Sequence, residues 1–260
     1  MQPNLLQHFG ITGYSVKSAI QVGSMFVRAK ELQIHLGRYA QRFVNCTGDD
    51  VYQFQHLGTA TGIKYRGRHF VISTDHQRRH GELGELGIVC DPGQSVITPS
   101  AMWTLNLPSE VEREDMHDFV VYEFEPEKYP DRNISSQFFE IGKDSGVKAS
   151  VGKVALNLGY PTRLQNIDYY EGSVDLIVVS NFVKLIEKTS SENVFLFQTV
   201  SDDRFFEDGT SGSPVFEVVH DDAGFRVVWL GIVVRGGDQS RFGRVISADF
   251  IVQQLEDNIL

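Results

Sequence analysis

Apolar residues change their spacing along the chain near residue 50. Between residues 14 and 44 they recur at intervals of three and four, which is typical of a helix face. These positions are Ala19, Val22, Met25, Phe26, Leu32, Leu36 and Tyr39. Gly23 and Gly37 interrupt the pattern, and each weakens a helix by roughly 1 kcal/mol relative to alanine. We therefore predict a partly helical N-terminal extension over residues 1–48, which either packs on the main domain or docks a partner.

After residue 50 the apolar residues occur in short runs that are typical of β-strands. The predicted strands cover residues 51–54, 59–65, 69–73, 119–122, 153–158, 174–180, 194–199, 214–219, 226–234 and 243–247. A glycine turn at residues 66–68 is typical of a hairpin. So many short strands predict an all-β protein built from antiparallel barrels or a sandwich. Apolar residues at Phe250, Ile251 and Leu255 predict a C-terminal helix over residues 248–259.

Charge and composition exclude several kinds of partner. The chain has 34 acidic and 24 basic residues among 260, which leaves a net charge of −10. A nucleic-acid-binding surface needs clustered Lys and Arg, and one short run at residues 78–80 does not provide it. There is no apolar stretch of about 18 residues and no secretory signal pattern at the N-terminus. We therefore expect a cytoplasmic protein that contacts neither nucleic acid nor membrane, with Cys46 and Cys90 as free thiols.

The segment Asp208-Gly209-Thr210-Ser211-Gly212-Ser213-Pro214-Val215 carries the clearest chemistry. A serine hydroxyl attacks a carbonyl only when a base removes its proton and backbone amides hold the resulting oxyanion. Gly209 can adopt conformations that let two amides converge, and Gly212 keeps bulk away from the Ser211 oxygen. An ordinary Gly/Ser turn before a strand is the plainer alternative. The pattern favours Ser211 as a nucleophile.

Residues 209–214 resemble the trypsin-like family of serine proteases, in the bacterial form that carries Gly-x-Ser-Gly-Ser-Pro. The resemblance implies that Ser211 is the nucleophile and that the amides of Gly209 and Ser211 form the oxyanion hole. A further match is Leu158-Gly159-Tyr160-Pro161, and the run 228–236 resembles the strand that lines the family's substrate cleft. The similarity covers about residues 51–255 and leaves the N-terminal extension outside.

The resemblance also requires a histidine and an aspartate before Ser211. Residues 70–76 form a hydrophobic run that ends in a small-residue turn and His76, with Asp75 in place of the usual alanine. Asp118 begins the apolar run 119–121, as the family's aspartate does. The order His, Asp, Ser is that of the chymotrypsin class. His69, His80 and Asp115 are the neighbouring candidates for these two roles.

The family's fold implies two antiparallel six-stranded β-barrels of chymotrypsin type, over about residues 49–130 and 150–248. The implied activity is that of an intracellular serine endopeptidase, which cleaves protein or peptide substrates through an acyl-enzyme without metal or cofactor. Val234, Arg235 and Gly236 would form the edge of the substrate pocket, and Phe205 takes the place where trypsin has an acid at the pocket base. A protease inside a cell needs restraint, so we also expect a regulatory protein partner.

Two alternatives use the same residues differently. A catalytically inactive relative would employ the fold as a protein-binding module. The intact triad argues against it, although Asp75 beside His76 is a departure from the family pattern that would perturb the geometry. A metal-dependent hydrolase would use His69, His76 and His80, since positions 76 and 80 have an i,i+4 spacing. The glutamate of the His-Glu-x-x-His motif is absent from that segment.

Overall fold

The computed structural model describes residues 5–9, 11, 18–78, 81–90, 95–104, 118–142, 150–168, 173–175, 177–189, 193–236 and 240–259. Two β-sheets dominate these residues, so the prediction of an all-β protein is confirmed. The helices α1 (Leu5–His8), α2 (Leu32–Gly37), α3 (Asp75–Arg78) and α4 (Ala248–Asn258) are short. Within the described ranges no helix has the length and apolar character needed to cross a membrane.

The N-terminal segment is a hairpin followed by a short helix. Strands β1 (Ala19–Val22) and β2 (Met25–Arg28) pair antiparallel, and α2 follows a single 3₁₀ turn. The helical prediction is therefore correct for Leu32 and Leu36, which are buried in α2, and wrong for residues 19–28. Gly23, at a φ of +58°, lies in the turn between the two strands, where the chain reverses.

The first sheet carries the strands between residues 40 and 140. They are β3 (Ala40–Cys46), β4 (Phe54–Tyr65), β5 (Arg68–Ser73), β6 (Leu86–Cys90), β7 (Ser95–Ile97), β8 (Ala101–Thr104), β9 (Val120–Phe124) and β10 (Phe139–Glu140). Their order is β7-β6-β3-β4-β5-β9-β8, and β10 pairs with β4 beside this path. Because β3 lies between β6 and β4, the sheet starts before residue 49, where the sequence placed the end of the extension.

The second sheet closes on itself. Its strands are β11 (Val154–Gly159), β14 (Val179–Lys188), β15 (Val194–Thr199), β16 (Pro214–Asp221), β17 (Gly224–Gly236) and β18 (Phe242–Ser247), while β12 (Asn166–Asp168) and β13 (Ser173–Asp175) form a separate ribbon. The order β16-β11-β14-β15-β18-β17 is closed by pairing of β17 with β16, which makes an antiparallel six-stranded barrel. The hairpin of β1 and β2 attaches to its β17 side. One predicted barrel is thus confirmed, and the first sheet is a curled half-barrel in the residues described.

Apolar side chains from both sheets form one shared core. Ile63 and Phe70 of the first sheet belong to the same buried cluster as Leu156 and Trp229 of the second. The C-terminal helix α4 adds Ile251 and Leu255 to this cluster, and the Ser247 side chain caps its first turn by accepting from the Phe250 amide. The predicted helix at residues 248–259 is therefore confirmed, and the two sheets are held face to face across this core.

The close contact of β17 with β18 at Gly231 yields a stability prediction. Gly231 has a φ of +142°, and a Cβ there would overlap the carbonyl oxygen of Ile246. We expect Gly231→Ala to lower the free energy of unfolding by about 3 kcal/mol in urea denaturation, since both backbone strain and the overlap oppose it. Gly224→Ala in the same strand is the control, because its φ is +115° and a Cβ would meet no atom within 4 Å. Equal losses in the two variants would contradict this reading of the β17–β18 contact.

Candidate active site

The pairing of β5 with β9 brings His76 close to Asp118. Ser73, the last residue of β5, is paired with Val120, the first residue of β9. The segment that follows β5 therefore lies beside the segment that precedes β9. His76 is on the single turn of α3, three residues beyond β5, and Asp118 precedes β9 by two residues. The sheet register places the two side chains together although 42 positions separate them in sequence.

Asp118 holds His76 with both of its carboxylate oxygens. Oδ2 accepts from Nδ1 of the imidazole at 2.7 Å, and Oδ1 accepts from the His76 backbone amide at 3.0 Å. The Asp118 side chain is only 13% exposed, whereas the imidazole is 45% exposed and faces the cleft. With the Nδ1 proton directed at Asp118, a neutral imidazole keeps its free lone pair on Nε2. This is the tautomer that a general base needs.

Hydrogen bonds satisfy every backbone carbonyl of the segment 207–212, which we call the nucleophile loop. The donors to the six carbonyls in order are Thr210 N (3.1 Å), Thr162 N (2.9 Å), Thr59 Oγ1 (2.6 Å), Ser213 N (3.1 Å), Gln77 Nε2 (2.8 Å) and Thr61 Oγ1 (2.7 Å). Three of these donors, Thr59, Thr61 and Gln77, belong to the first sheet or to α3. The loop of the second sheet is therefore shaped by the first.

The amides of the same loop are divided between bonded and free. Those of Thr210 and Gly212 donate to the carbonyls of Glu207 (3.1 Å) and Val233 (2.6 Å). Those of Glu207, Asp208, Gly209 and Ser211 have no acceptor in the described part of the chain, and the oxyanion hole predicted from the sequence uses the last two. Two free N–H groups beside a serine hydroxyl are the arrangement that stabilises a tetrahedral oxyanion.

The peptide between Asp208 and Gly209 has a fixed orientation. Its carbonyl accepts from the Thr162 amide, and because the peptide is trans, its N–H points the opposite way. Gly209 has a φ of +86°, and a Cβ there would lie 2.7 Å from the Tyr160 carbonyl oxygen and 2.6 Å from Thr162 Oγ1. Glycine is required at this position to combine that φ with such close neighbours.

Ser211 and His76 border the same two cavities. The first, of about 460 Å³, is lined by Asn45, Gln55, His56, Leu57, His76, Gln77, Arg78, Gly81, Thr162, Asp208, Gly209 and Ser211. The second, of about 530 Å³, is lined by Asp75, His76, Asp118, Glu207, Asp208, Ser211, Val234, Arg235 and Gly236. No direct hydrogen bond joins Ser211 to His76 in the described residues, and Nε2 lies 3.4 Å from Thr74 Oγ1. Catalytic hydrogen bonds often shorten only when substrate binds.

The proposed substrate-binding residues separate into two groups. Val234, Arg235 and Gly236 line the second cavity together with Ser211. Phe205 lines neither cavity, and neither does its neighbour Phe206. Phe206 is buried and donates its amide to the Ser240 carbonyl at 2.8 Å. Whether any of these residues contacts substrate stays a prediction.

Phe206 packs against Gly236, which lines the second cavity. A Cβ placed on Gly236 would overlap Phe206 Cβ, and a Cβ placed on Gly243 would lie 2.8–2.9 Å from three atoms of its ring. The ring therefore occupies the volume between β17 and β18 that two glycines leave open. The ring belongs to the buried core of the barrel.

The competing residues have other surroundings. His69 is buried near the start of β5, and its ring packs edge-on against Phe138 with centroids 5.0 Å apart. Burial lowers the pKa of His69, and the adjacent positive charge of Lys64 lowers it further. His80 and Asp115 lie outside the described residues. Inside them, no group of three or more His, Cys, Asp or Glu side chains could hold a metal ion.

Several residues that shape the site were not identified from the sequence. Thr59 and Thr61 are fully buried on one face of β4, and the alternation of threonines within an apolar strand was the available signal. Thr162 contributes only its backbone amide, for which residue type carries no signal. Gln77 directly follows His76, but nothing in its spacing marked it as a bridge to Ser211.

His56 is a second histidine on the cavity wall, and it is held neutral. Its Nδ1 accepts from Arg42 Nε at 3.4 Å, and its Nε2 lies 3.2 Å from the Tyr160 carbonyl oxygen. Donation from Nε2 to that carbonyl completes the neutral tautomer. Burial, followed by the positive charge of Arg42, lowers the pKa of His56 to about 4.

A comparison with known proteins finds no family model and no curated protein that matches this chain. The resemblance to trypsin-like proteases therefore stays a prediction from the sequence motifs.

The lowered pKa of His56 predicts a loss of stability in mild acid. The unfolded chain takes up a proton near pH 6.5, whereas the folded protein resists it until about pH 4. The contribution of neutral His56 to the free energy of unfolding is fully present above pH 6.5. It falls by about 2 kcal/mol as the pH drops between these values, after allowance for partial exposure. Urea denaturation at pH 7.5 and pH 4.5 measures this loss of unfolding free energy. His56→Gln should flatten the difference, and an unchanged pH dependence in that variant would contradict the assignment.

Proposed function

We propose that this chain is a serine endopeptidase of the trypsin-like family with a fold of chymotrypsin type. One observation carries the proposal: in a loop whose carbonyls are all bonded, the amides of Gly209 and Ser211 are free beside the Ser211 hydroxyl, and an Asp118-bound His76 borders the same cavities. The closed second barrel, the curled first sheet and the position of these residues where both sheets meet support the fold assignment.

The proposed reaction has two halves. Ser211 Oγ attacks the scissile carbonyl carbon while His76 Nε2 takes the hydroxyl proton, and the two free amides bind the oxyanion. The imidazolium then gives its proton to the leaving amine, which departs and leaves an acyl-enzyme. Water, deprotonated by the same nitrogen, attacks the ester and releases the acid. Asp118 orients the ring and stabilises its charged form, and the reaction in this scheme uses neither metal nor cofactor.

The substrate we propose is an extended peptide with a small residue before the scissile bond. The end of β17 at residues 234–236 borders the cleft, and an extended segment can pair with it through backbone hydrogen bonds. The side chain that precedes the scissile bond would enter the space between this strand and residues 207–208. Phe206 closes that space, so glycine, alanine and serine fit better than bulky side chains.

The alternative is a protein-binding module that kept the fold without catalysis. The lack of a direct hydrogen bond between the described side chains of Ser211 and His76 favours it. A reagent that reacts only with an activated serine separates the two functions.

We expect a fluorophosphonate to label the wild-type protein once, at Ser211, because attack requires both His76 and the free amides. Peptide mapping by mass spectrometry locates the label. Ser211→Ala should abolish labelling, and Asp118→Asn should slow it by about 10³–10⁴-fold, since it disturbs the tautomer. Ser136→Ala, at a half-buried serine whose hydroxyl donates to the Asn133 carbonyl, is the control and should label normally. Absence of labelling in the folded wild type would support the binding module instead.

A peptide library tests the role of Phe206 in substrate choice. We expect wild type to cleave after small residues, and Phe206→Ala to shift the preference towards Leu, Met or Phe by at least about tenfold in kcat/KM, since about 1–3 kcal/mol accompanies such a size change. Phe197→Ala removes a ring from the same buried cluster and serves as the control. That variant should lose stability without a change in preference. Cleavage by the wild type after large residues would contradict the proposal that Phe206 closes the space for the side chain before the scissile bond.

A further inference from the structure

The residue that follows His76 links the two halves of the proposed catalytic site. The Gln77 side chain is 5% exposed and lies between the turn that carries His76 and the nucleophile loop. We propose that Gln77 is a positioning residue, which sets the Ser211 hydroxyl relative to His76 by fixing the peptide bond after Ser211. This inference rests on the proposed function and adds one residue that sets the geometry of the catalytic site.

The Gln77 amide uses its two ends on different segments. Its Oε1 accepts from Ser73 Oγ (2.6 Å), Thr74 Oγ1 (2.8 Å) and the Thr74 amide (3.2 Å), at the end of β5 and just before α3. Its Nε2 donates to the Ser211 carbonyl oxygen at 2.8 Å. Only the amide nitrogen can donate to a carbonyl, so these partners determine which way the amide faces. One rigid planar group thus spans from the histidine turn to the serine.

The peptide bond between Ser211 and Gly212 is held at both ends. Gln77 binds its carbonyl oxygen, and its N–H donates to the Val233 carbonyl at 2.6 Å. These bonds fix the backbone torsion after the Ser211 Cα and therefore the direction of the Cα–Cβ bond that carries the hydroxyl. The preceding amide, that of Ser211 itself, remains free for an oxyanion. Gln77 thus constrains the serine without occupying a group that the reaction uses.

Two glycines hold the Gln77 amide in place. A Cβ on Gly58, whose φ is +140°, would overlap Nε2, and a Cβ on Gly212 would lie 3.1 Å from Oε1. The amide therefore lies in a slot that any larger residue at either position would block. A side chain packed this closely keeps one rotamer, so its hydrogen bonds act as a spacer of fixed length.

Gln77→Met tests the proposal, since it keeps the length of the side chain and removes both kinds of hydrogen bond. We expect the rate constant of fluorophosphonate labelling at Ser211 to fall by about 10–100-fold, as small misplacements of reacting groups produce. With a cleaved peptide, kcat should fall by a similar factor while KM stays within about twofold, because the lost interaction acts at the serine and not on substrate binding. Gln77→Glu retains the acceptor but turns an oxygen towards the Ser211 carbonyl, and it should slow labelling in the same direction. It also replaces Gln77→Met if that variant does not fold.

Gln41→Met is the matched control. Gln41 is also a buried glutamine at 2% exposure, and its Nε2 donates to the carbonyls of Arg38 (2.7 Å) and Gln137 (2.8 Å), away from the nucleophile loop. This variant should lose stability in urea yet label at the wild-type rate. Equal slowing in both variants would mean a general loss of packing and would overturn the positioning role.

The crystal structures of wild type and Gln77→Met provide a readout that does not depend on activity. We expect the Ser211 carbonyl to move by about 1 Å or to rotate away from α3 in the variant. An unmoved peptide together with wild-type labelling would overturn the proposal. A wild-type protein that is never labelled, but whose variant shows the moved peptide, would instead refute the proposed protease activity and leave the structural role of Gln77 standing.

Discussion

Two buried threonine hydroxyls hold the candidate active site together. Thr59 and Thr61 on β4 donate to the carbonyls of Gly209 and Gly212, and so attach the loop of the barrel to the first sheet. Thr59 Oγ1 also accepts from the Tyr160 amide at 2.7 Å, which draws the chain before Thr162 into the same network. The histidine and aspartate belong to one sheet and the serine to the other, so this contact decides whether the three side chains share a cleft.

Each sheet positions its part of the site by a different structural feature. In the first sheet, the antiparallel register of β5 and β9 places the ends of two strands side by side, and this sets His76 against Asp118. In the second, Gly209 at a φ of +86° and Gly212 at +81° let the loop turn tightly enough to leave two amides free. The apolar core common to both sheets, with residues such as Ile63 and Leu156, keeps the two parts facing each other.

The sequence predicts those parts of the molecule that local pattern determines. Strand β15 and the helix α4 fall within a residue of their predicted bounds, because alternation and helical spacing are local properties. The hairpin of β1 and β2 was mistaken for helix, since intervals of three and four between residues 19 and 26 also occur by chance in short strands. Strand β3 was missed because Gln41 and Arg42 are buried within it, so it shows no alternation of apolar and polar positions.

Within the candidate site, the sequence identifies residues by their side-chain chemistry but not those that act through geometry. His76, Asp118 and Ser211 stand in motifs, and the structure brings all three to one cleft. Gln77, the Thr162 amide and the ring of Phe206 act through distances and packing that only the folded chain defines.

The most direct test of the account is a crystal structure of the protein after reaction with a peptide boronic acid. The account predicts a covalent bond from boron to Ser211 Oγ, with one boronate oxygen 2.7–3.1 Å from the amides of both Gly209 and Ser211 and another near His76 Nε2. A boronate absent from Ser211, or one whose oxygens avoid both amides while the loop keeps its present shape, would contradict it.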